Sequence, residues 1–347
     1  MLSIETVRRE PEVVRRSLER RREDPGVVDE LARLDAQRRA LVAELDGLRA
    51  EANRDSKAVG EAMKAGDQEA AEGQRKAGRE AGERIKRIEA AERDAEAKLR
   101  ALLLTVPNIL LDDVPDGGDE SANAVTRQEG EPRSAESYDF ELKPHWELAE
   151  SLGITDFERG SKLAGRMFSV LGEAGARLQR ALIAWMLDMH RQRHGYAERG
   201  VPYLVLRETM EGSGNLPKFA DNLYHDDEDD LWLIPTAEVP LTGLHRDEIL
   251  APGTLPLRYM AHTPCFRREK AAAGTQVRGL KRLHQFDKVE MFQVVEPERS
   301  AAALEDIVEH ASDVARGLGL PFRVLELCSG DIGFQSAKTY DVEVWSP

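Results

Sequence analysis

The sequence has few cysteines, no long apolar run and no glycine-rich phosphate loop, and each absence excludes a class of protein. Its 347 residues include two cysteines, Cys265 and Cys328, which are too few for a disulfide framework and lack the spacing of a zinc site. The longest aliphatic run, around 102–104, is far too short to span a bilayer, and the first residues form no apolar signal segment. We therefore expect a cytoplasmic protein without a membrane partner.

The composition favours a soluble chain with a real hydrophobic core. Hydrophobic residues make up 41% and charged residues 33% of the sequence, and the mean hydropathy is -0.50. At roughly 150 residues per domain, the length suggests about two domains. The formal net charge of -15 argues, taken whole, against a nucleic-acid binder, because such domains are usually basic.

The negative charge is concentrated in two segments, so the whole-chain value misleads. Residues 112–159 carry 14 acids and 4 bases, and residues 221–230 carry 6 acids without Lys or Arg. Residues 258–288, by contrast, hold 8 bases and 2 acids. Local charge is the better guide to partners, and here it indicates an anionic ligand near the basic segment.

A helical hairpin is predicted between Val27 and Leu104. Two short helices precede it, the first capped by Ser3 and the second restarted by Pro11. The apolar positions of the two halves, at three- and four-residue spacing, are Leu31, Leu34, Leu41, Leu45, Leu48, Ala52 and Ala81, Ile85, Ile88, Ala95, Leu99, Leu102. These are heptad seams, interrupted by Arg38 and Glu92 and separated by a break at 60–67. We expect residues 1–104 to form an antiparallel coiled-coil arm with a mobile outer end.

The rest of the chain is predicted to be α+β. Residues 105–160 are rich in proline, glycine and acid, which is typical of a linker entering a core. From 161 to 347, a helix over 173–193 and several closely spaced strands favour an antiparallel sheet flanked by helices over a doubly wound parallel sheet. Pro202 falls in a strand predicted near 201–205, which should lie at an edge or an interface.

Candidate chemistry concentrates between Thr263 and Glu290. With no GxxxxGK[ST] or GxGxxG motif, phosphate would have to be held by side chains. Arg267 and Glu269 are two apart and would share one face of a strand, and Arg can clamp a phosphate bidentately. The candidates of one parity on the return strand are Arg282, His284, Phe286 and Glu290. By composition alone, an Arg-rich hairpin making surface ion pairs is an equal alternative.

A second candidate site lies where a strand ends between two prolines. In the run from Pro235 to Pro240, Thr236 and Glu238 offer a hydroxyl and a carboxylate two residues apart. This pair suits a ligand that carries both an amine and a hydroxyl. Alone it is weak evidence for a site.

Together these residues resemble the bacterial seryl-tRNA synthetases, a family of class II aminoacyl-tRNA synthetases, over the whole chain. Helix 173–193 with the Pro202 strand resembles class II motif 1, and 266–290 resembles motif 2. The stretches 233–241 and 140–148 are also typical of the family.

The resemblance implies a serine–tRNA ligase that makes seryl-adenylate from serine and ATP, with Mg²⁺, and transfers serine to tRNA(Ser), with tRNA(Sec) as a second candidate acceptor. It implies Arg267 and Glu290 as catalytic residues. The implied ATP-binding residues are Arg267, Arg268, Glu269, Leu283 and Phe286, with Leu283 at a position that is usually valine. The implied serine-binding residues are Thr236, Ala237, Glu238, Arg267 and Glu290. The arm would contact tRNA by shape and backbone, and motif 1 would form a homodimer.

One departure from the family is large. Class II motif 3, a glycine-rich segment leading to an arginine, lies beyond 339–345 in the family, and this sequence ends at Pro347. We therefore expect a truncated chain that binds tRNA better than it makes adenylate, and near-normal serine-dependent ATP–pyrophosphate exchange would contradict this.

Two further readings stay open at this point. The first is a non-catalytic tRNA-binding protein derived from a synthetase, which reading the coding sequence past codon 347 would distinguish. The second is a coiled-coil scaffold with an inert globular domain, which predicts no nucleotide binding and no salt-sensitive tRNA affinity. Residues 27–104 count against another reading, a relative that activates amino acids for carrier proteins, because such a relative would usually lack the long arm.

Overall fold

A computed structural model describes residues 2–270 and 278–346 of the chain. The chain divides into two compact units, Met1–Leu110 and Leu111–Pro347. The part of the motif 2 stretch that falls at 271–277 lies outside the described residues.

The first unit is helical. Its helices are α1 (Ile4–Arg9), α2 (Pro11–Arg20), α3 (Val27–Ala65) and α4 (Gln68–Leu103). The Ser3 side chain accepts a hydrogen bond from the Glu5 amide at 3.2 Å, and Pro11 opens α2. Both helix starts are as predicted, because a hydroxyl satisfies a free amide of the first turn and proline has no amide to satisfy.

The hairpin turn between α3 and α4 is tighter than predicted. Helix α3 continues through the glycine-containing stretch after 60 and ends at Ala65, and the next residue, Gly66, caps it with a left-handed φ of 77°. The Asp67 amide donates to the Ala62 carbonyl at 3.0 Å, which satisfies one of the last free carbonyls of the helix. At 1.5 Å per residue, α3 is about 58 Å long.

The apolar core of this unit lies at the base of the hairpin. Leu31, Leu34, Leu99 and Leu103 pack with residues of α1 and α2 in one buried cluster. Leu103 is buried here, while Leu102, the predicted seam residue, is only partly buried. Arg38, which interrupts the seam, pairs instead with Glu96 across the hairpin at 3.2 Å.

The second unit mixes helices and short sheets. Its helices are α5 (His145–Ser151), α6 (Phe157–Ala164), α7 (Glu173–His194), α8 (Arg207–Gly212), α9 (Glu238–Gly243) and α10 (Ser300–Gly317). Its strands are β1 (Ala124–Glu129), β2 (Thr155–Asp156), β3 (Val170–Leu171), β4 (Ala197–Glu198), β5 (Leu204–Leu206), β6 (His225–Asp226), β7 (Leu231–Leu233), β8 (Leu257–Phe266), β9 (Gln285–Val294), β10 (Phe322–Glu326) and β11 (Tyr340–Val344).

The pairing of these strands is mainly antiparallel, as predicted. The longest ladder joins β8 to β9, with Leu257 opposite Val294 and Phe266 opposite Gln285, and β4 adds a short parallel pair to β8. Another sheet has the order β5-β7-β6. Residues 105–160, which were predicted to be a linker, contribute β1 to the sheet β1-β10-β11, so this segment is not irregular throughout.

The strand predicted around Pro202 is shifted. Helix α7 ends as expected before Gly195, which takes a left-handed φ of 71°. Strand β4 ends at Glu198 and the next strand, β5, begins only at Leu204, so Pro202 lies between the two strands. Proline has no amide for a strand ladder, which explains why the ladder starts beyond it.

Within the described ranges, every helix is either too short or too polar to cross a membrane.

Candidate functional site

The β8–β9 hairpin is the platform of the candidate site. Because side chains alternate along a strand, Phe286, Lys288 and Glu290 lie on one face of β9. In the ladder, Phe286 stands opposite Cys265 and Glu290 opposite Ala261. The predicted shared face of Phe286 and Glu290 is therefore present.

Arg267 and Glu269 reach this face from a turn rather than from a strand, which corrects the sequence-based interpretation. Strand β8 ends at Phe266, and the Arg267 amide donates to the His284 carbonyl at 2.9 Å. Glu269 has a left-handed φ of 46°, so alternation no longer determines its direction. Arg282 and His284 likewise precede β9.

The Arg267 side chain is held in place by two contacts. Its Nε donates to the Pro235 carbonyl at 3.2 Å, and its guanidinium carbon lies 5.1 Å from the centre of the Phe286 ring. Beyond it, Arg282 donates to Glu269 Oε2 at 3.0 Å. The Glu269 side chain is only 10% exposed.

Two adjacent cavities of about 800 Å³ each meet at these residues. Arg267, Glu269 and Arg282 line both cavities. The further lining of the first, which we call the ring cavity, is His145, Trp146, Arg278, Leu280, Lys281, Leu283 and Phe286. Because the wall of the ring cavity combines aromatic rings with basic side chains, this cavity suits a ligand that is both planar and anionic.

The second cavity, which we call the hydroxyl cavity, is more polar. Thr236, Glu238, Lys288 and Asn222 are among its lining residues. The Thr236 hydroxyl donates to Glu290 Oε2 at 2.7 Å and accepts from the Glu238 amide at 3.2 Å. The Lys288 ammonium contacts both the Thr236 hydroxyl and Glu290 Oε2.

The pKa of Glu238, on the wall of the hydroxyl cavity, is shifted by its surroundings. Burial raises the pKa of Glu238, the nearby charge of Glu290 raises it further, and Lys288 opposes the shift. A buried carboxylate of this kind gains from a cationic ligand, because the ligand offsets its desolvation. The cavity therefore suits an amine with a neighbouring hydroxyl.

Three sequence-predicted site residues are not on the wall of either cavity, although one of them, Glu290, contacts the wall residues Thr236 and Lys288. The other two lie apart from both cavities. Ala237 is fully buried and packs with Leu241, Tyr259 and Ala261. Arg268 turns away as well, since its Nε donates to the Leu223 carbonyl at 2.7 Å and its guanidinium lies over the Tyr224 ring.

Several lining residues were assigned no role from the sequence. His145 and Trp146 fall in the stretch 140–148, and His145 accepts the Leu280 amide at 3.0 Å. Arg278 lies 5.5 Å from the Trp146 ring centre. Lys288 could have been found, because it shares strand parity with Phe286 and Glu290. No local sequence pattern indicates that residues 140–148 approach the β8–β9 hairpin.

Comparisons with known proteins match both units. The family model of the seryl-tRNA synthetase N-terminal domain matches residues 1–110, and that of the tRNA synthetase class II core domain (G, H, P, S and T) matches residues 219–347. The serine–tRNA ligase of Thermomicrobium roseum is 53% identical over 347 residues, which are 100% of this chain and 76% of that protein. The serine–tRNA ligase of Roseiflexus sp. (strain RS-1) is 52% identical, with 80% of its length covered.

A solved structure is similar over nearly the whole chain. The crystal structure of seryl-tRNA synthetase from Pyrococcus horikoshii complexed with ATP has a TM-score of 0.88 and 35% sequence identity, and the match covers 99% of this chain and 81% of that one.

Proposed function

The chain belongs to the seryl-tRNA synthetase family of aminoacyl-tRNA synthetases, and we propose that its two cavities bind ATP and serine side by side for the synthesis of seryl-adenylate. The ring cavity takes ATP, and the hydroxyl cavity takes serine. The activated serine then passes to tRNA(Ser), and tRNA(Sec) is the second candidate acceptor.

The observation that carries this proposal is the position of Arg267 between the two cavities. In an amino-acid activation, a carboxylate oxygen attacks the α-phosphorus of ATP and pyrophosphate leaves. A guanidinium at the border neutralises both anions while they approach. Catalysis then consists mainly of positioning and charge stabilisation.

In the ring cavity, we assign Phe286 to stacking on adenine. Leu283 contributes apolar wall, and Glu269 and Arg282 stand paired at the border with the second cavity. The cation–π contact between Arg267 and Phe286 holds both groups in place before ATP arrives.

In the hydroxyl cavity, we assign Glu238 to the serine amine and Glu290 to the serine hydroxyl. The Thr236 hydroxyl positions both residues through its hydrogen bonds to Glu290 Oε2 and from the Glu238 amide. The raised pKa of Glu238 means that its charged form gains from a bound ammonium. Arg267 is left for the serine carboxylate, which places that carboxylate beside the ATP phosphates.

We propose Mg²⁺ as a companion of ATP. Among residues 2–270 and 278–346, no group of three His, Cys, Asp or Glu side chains could hold a metal. Mg²⁺ commonly binds through substrate phosphates and one or two carboxylates, and Glu269, on the wall of both cavities, is the carboxylate that would contribute. The ion would supply positive charge to the phosphates.

Two macromolecular partners complete the proposal. The α3–α4 arm contacts tRNA, and α7 with β5 forms a homodimer. Supporting the dimer, the apolar side chains of Leu178 on α7 and of Leu204 and Leu206 on β5 are each about half exposed.

Serine-dependent ATP–pyrophosphate exchange tests the proposed activity. We expect the exchange that the chain supports to depend on serine and not on alanine, and to be lost in Arg267→Ala. Calorimetric titration with seryl-sulfamoyl adenosine tests the same two cavities without requiring turnover. Failure of the chain to bind this adenylate mimic would overturn the proposal.

A further inference from the structure

Lys288 places a fixed positive charge inside the hydroxyl cavity, beside the groups assigned to serine. It lies on the cavity face of β9, two residues from Phe286 and two from Glu290. Its ammonium contacts Glu290 Oε2 and the Thr236 hydroxyl. Its side chain is partly exposed, at 31%, so it forms part of the cavity wall.

We propose that Lys288 is the residue that makes this pocket select a hydroxyl rather than an ammonium on the amino-acid side chain. The proposal rests on the proposed function, namely that this cavity binds serine. Lys288 acts through Glu290 and Thr236, so it is a positioning and specificity residue.

Charge balance is the first argument. The groups assigned to the serine amine and hydroxyl include two carboxylates, Glu238 and Glu290, and serine brings one ammonium. Without Lys288, the second carboxylate would favour a second cation, since a charge-assisted bond is roughly twice as strong as a neutral one. With Lys288 already paired to Glu290, a neutral hydroxyl is the better partner and a cationic side chain meets like charge.

The hydrogen-bond directions give the second argument. The Thr236 hydroxyl has one proton, which points to Glu290 Oε2. Its oxygen accepts from Lys288 and from the Glu238 amide. Within the described residues, the contacts of Glu290 with Thr236 and Lys288 are both made at Oε2, so Oε1 is the oxygen left to accept a ligand hydroxyl.

The proposal predicts an exchange of preference between two isosteric ligands. 2,3-Diaminopropionate has the shape of serine but carries an ammonium where serine has its hydroxyl. The wild-type chain should bind the seryl form in preference. Lys288→Met keeps the length and removes the charge, so it should shift the ratio of the two dissociation constants toward the diamino form by tenfold or more.

The experiment is calorimetric titration with seryl- and 2,3-diaminopropionyl-sulfamoyl adenosine, which requires no turnover. Lys288→Arg retains the positive charge and should keep the wild-type ratio within about threefold. Lys162→Met, an exposed lysine of α6, is the control for removal of a surface charge. Dissociation constants for ATP alone and melting temperatures show whether each variant still folds and binds nucleotide.

The outcomes separate the two proposals. Failure of the wild type to bind either adenylate mimic overturns the proposed function itself. Tight seryl binding with an unchanged ratio in Lys288→Met overturns the role of Lys288 alone. A shifted ratio in Lys288→Met that Lys288→Arg restores supports it, because a merely structural role would weaken both ligands equally.

Discussion

The guanidinium carbon of Arg267 lies 5.1 Å from the centre of the Phe286 ring, and its Nε donates to the Pro235 carbonyl at 3.2 Å. Phe286 lies on β9, and Pro235 lies in the segment that precedes α9. The arginine is therefore oriented by the protein before a ligand arrives. Preorganised charge of this kind is worth most at the moment when charge develops in the reaction.

Arg267→Lys is expected to lower serine-dependent ATP–pyrophosphate exchange by about 100-fold or more. Lysine keeps the charge, but it lacks the planar group that lies over Phe286 while donating to Pro235. Arg268→Lys provides the comparison, because the Arg268 side chain faces neither cavity. We expect its effect to stay below about threefold, and equal losses in the two variants would contradict the assignment.

Phe286→Leu is expected to raise the KM for ATP about tenfold and to leave the KM for serine nearly unchanged. Stacking of a base on an aromatic ring contributes about 1–3 kcal/mol, and leucine keeps the apolar bulk without the ring face. Initial-rate exchange assays with each substrate varied in turn measure both constants. A parallel rise in both KM values would place the ring outside the ATP site.

Strand alternation was enough to predict part of this site from the sequence. Phe286 and Glu290 share a face of β9 because they are four residues apart on one strand. The same rule failed for Glu269, because the strand ends at Phe266 and the chain turns through a left-handed conformation. The ion pair between Arg282 and Glu269 depends on that turn.

Other parts of the fold depend on contacts that no local pattern encodes. His145 reaches the cavity by accepting the Leu280 amide, 135 residues away along the chain. In the arm, spacing predicted both long helices, but the burial of Leu103 in place of Leu102 follows from how α4 meets α1 and α2. Packing therefore decides which of two adjacent apolar residues of a helix is buried, because the two side chains face different neighbours.

Asp35→Asn is expected to destabilise the first unit by about 2 kcal/mol, because hydrogen bonds to a buried charged group contribute about 1.5–3 kcal/mol. Asp35 is 2% exposed and accepts from Arg8 at 2.9 and 3.0 Å and from Arg39 at 3.0 Å. Hydrogen exchange of α1 and α3 amides measures the change. Asp94→Asn, which removes an exposed pair with Lys98, should cost less than about 0.5 kcal/mol.

The same carboxylate contributes to the acid sensitivity of the first unit. The Arg8 hydrogen bonds lower the pKa of Asp35, against the opposing effect of burial. A lowered carboxyl pKa contributes stability above the unfolded value of about 3.9, and this contribution is lost as the pH falls through the folded value. If the exchange protection of the wild type already declined near pH 6, and Asp35→Asn removed this decline, the prediction would be wrong.

Replacement of exposed basic residues near the hairpin turn is expected to weaken tRNA binding. Arg54, Lys57 and Arg79 are exposed on α3 and α4. If each meets a phosphate, changing all three to Ala should flatten the slope of log affinity against log salt by about 2. Filter binding of tRNA(Ser) between 50 and 200 mM salt, roughly the range over which such contacts are most sensitive, measures it.

A matched triple variant controls for the loss of charge. Arg33, Lys86 and Lys98 each pair with a carboxylate on their own helix, so their change to Ala should leave the salt slope close to that of the wild type. Identical slopes in both triple variants would show that the turn end of the arm carries no phosphate contact.

His190→Gln is expected to make the second unit less sensitive to mild acid. His190 is 2% exposed, and burial, followed by the charges of His194 and His310, lowers its pKa to about 4, while Asp313 opposes the shift. The rest of this cluster is linked by contacts of His194 with Asp313, of Tyr196 with His310 and of Arg258 with the His194 carbonyl.

The sign follows from where the proton binds. Between pH 6.5 and about 4 the unfolded chain protonates this histidine and the folded chain does not, so the free energy of unfolding falls as the pH falls. Over that interval the loss is about 3 kcal/mol, at about 1.4 kcal/mol for each pKa unit. All four tryptophans lie in the second unit, so their fluorescence during urea unfolding at pH 7.5 and at pH 5 reports this unit alone. Because glutamine does not titrate, the variant should lose less stability than the wild type between the two pH values, and an equal loss in both would show that His190 is not the group that binds the proton.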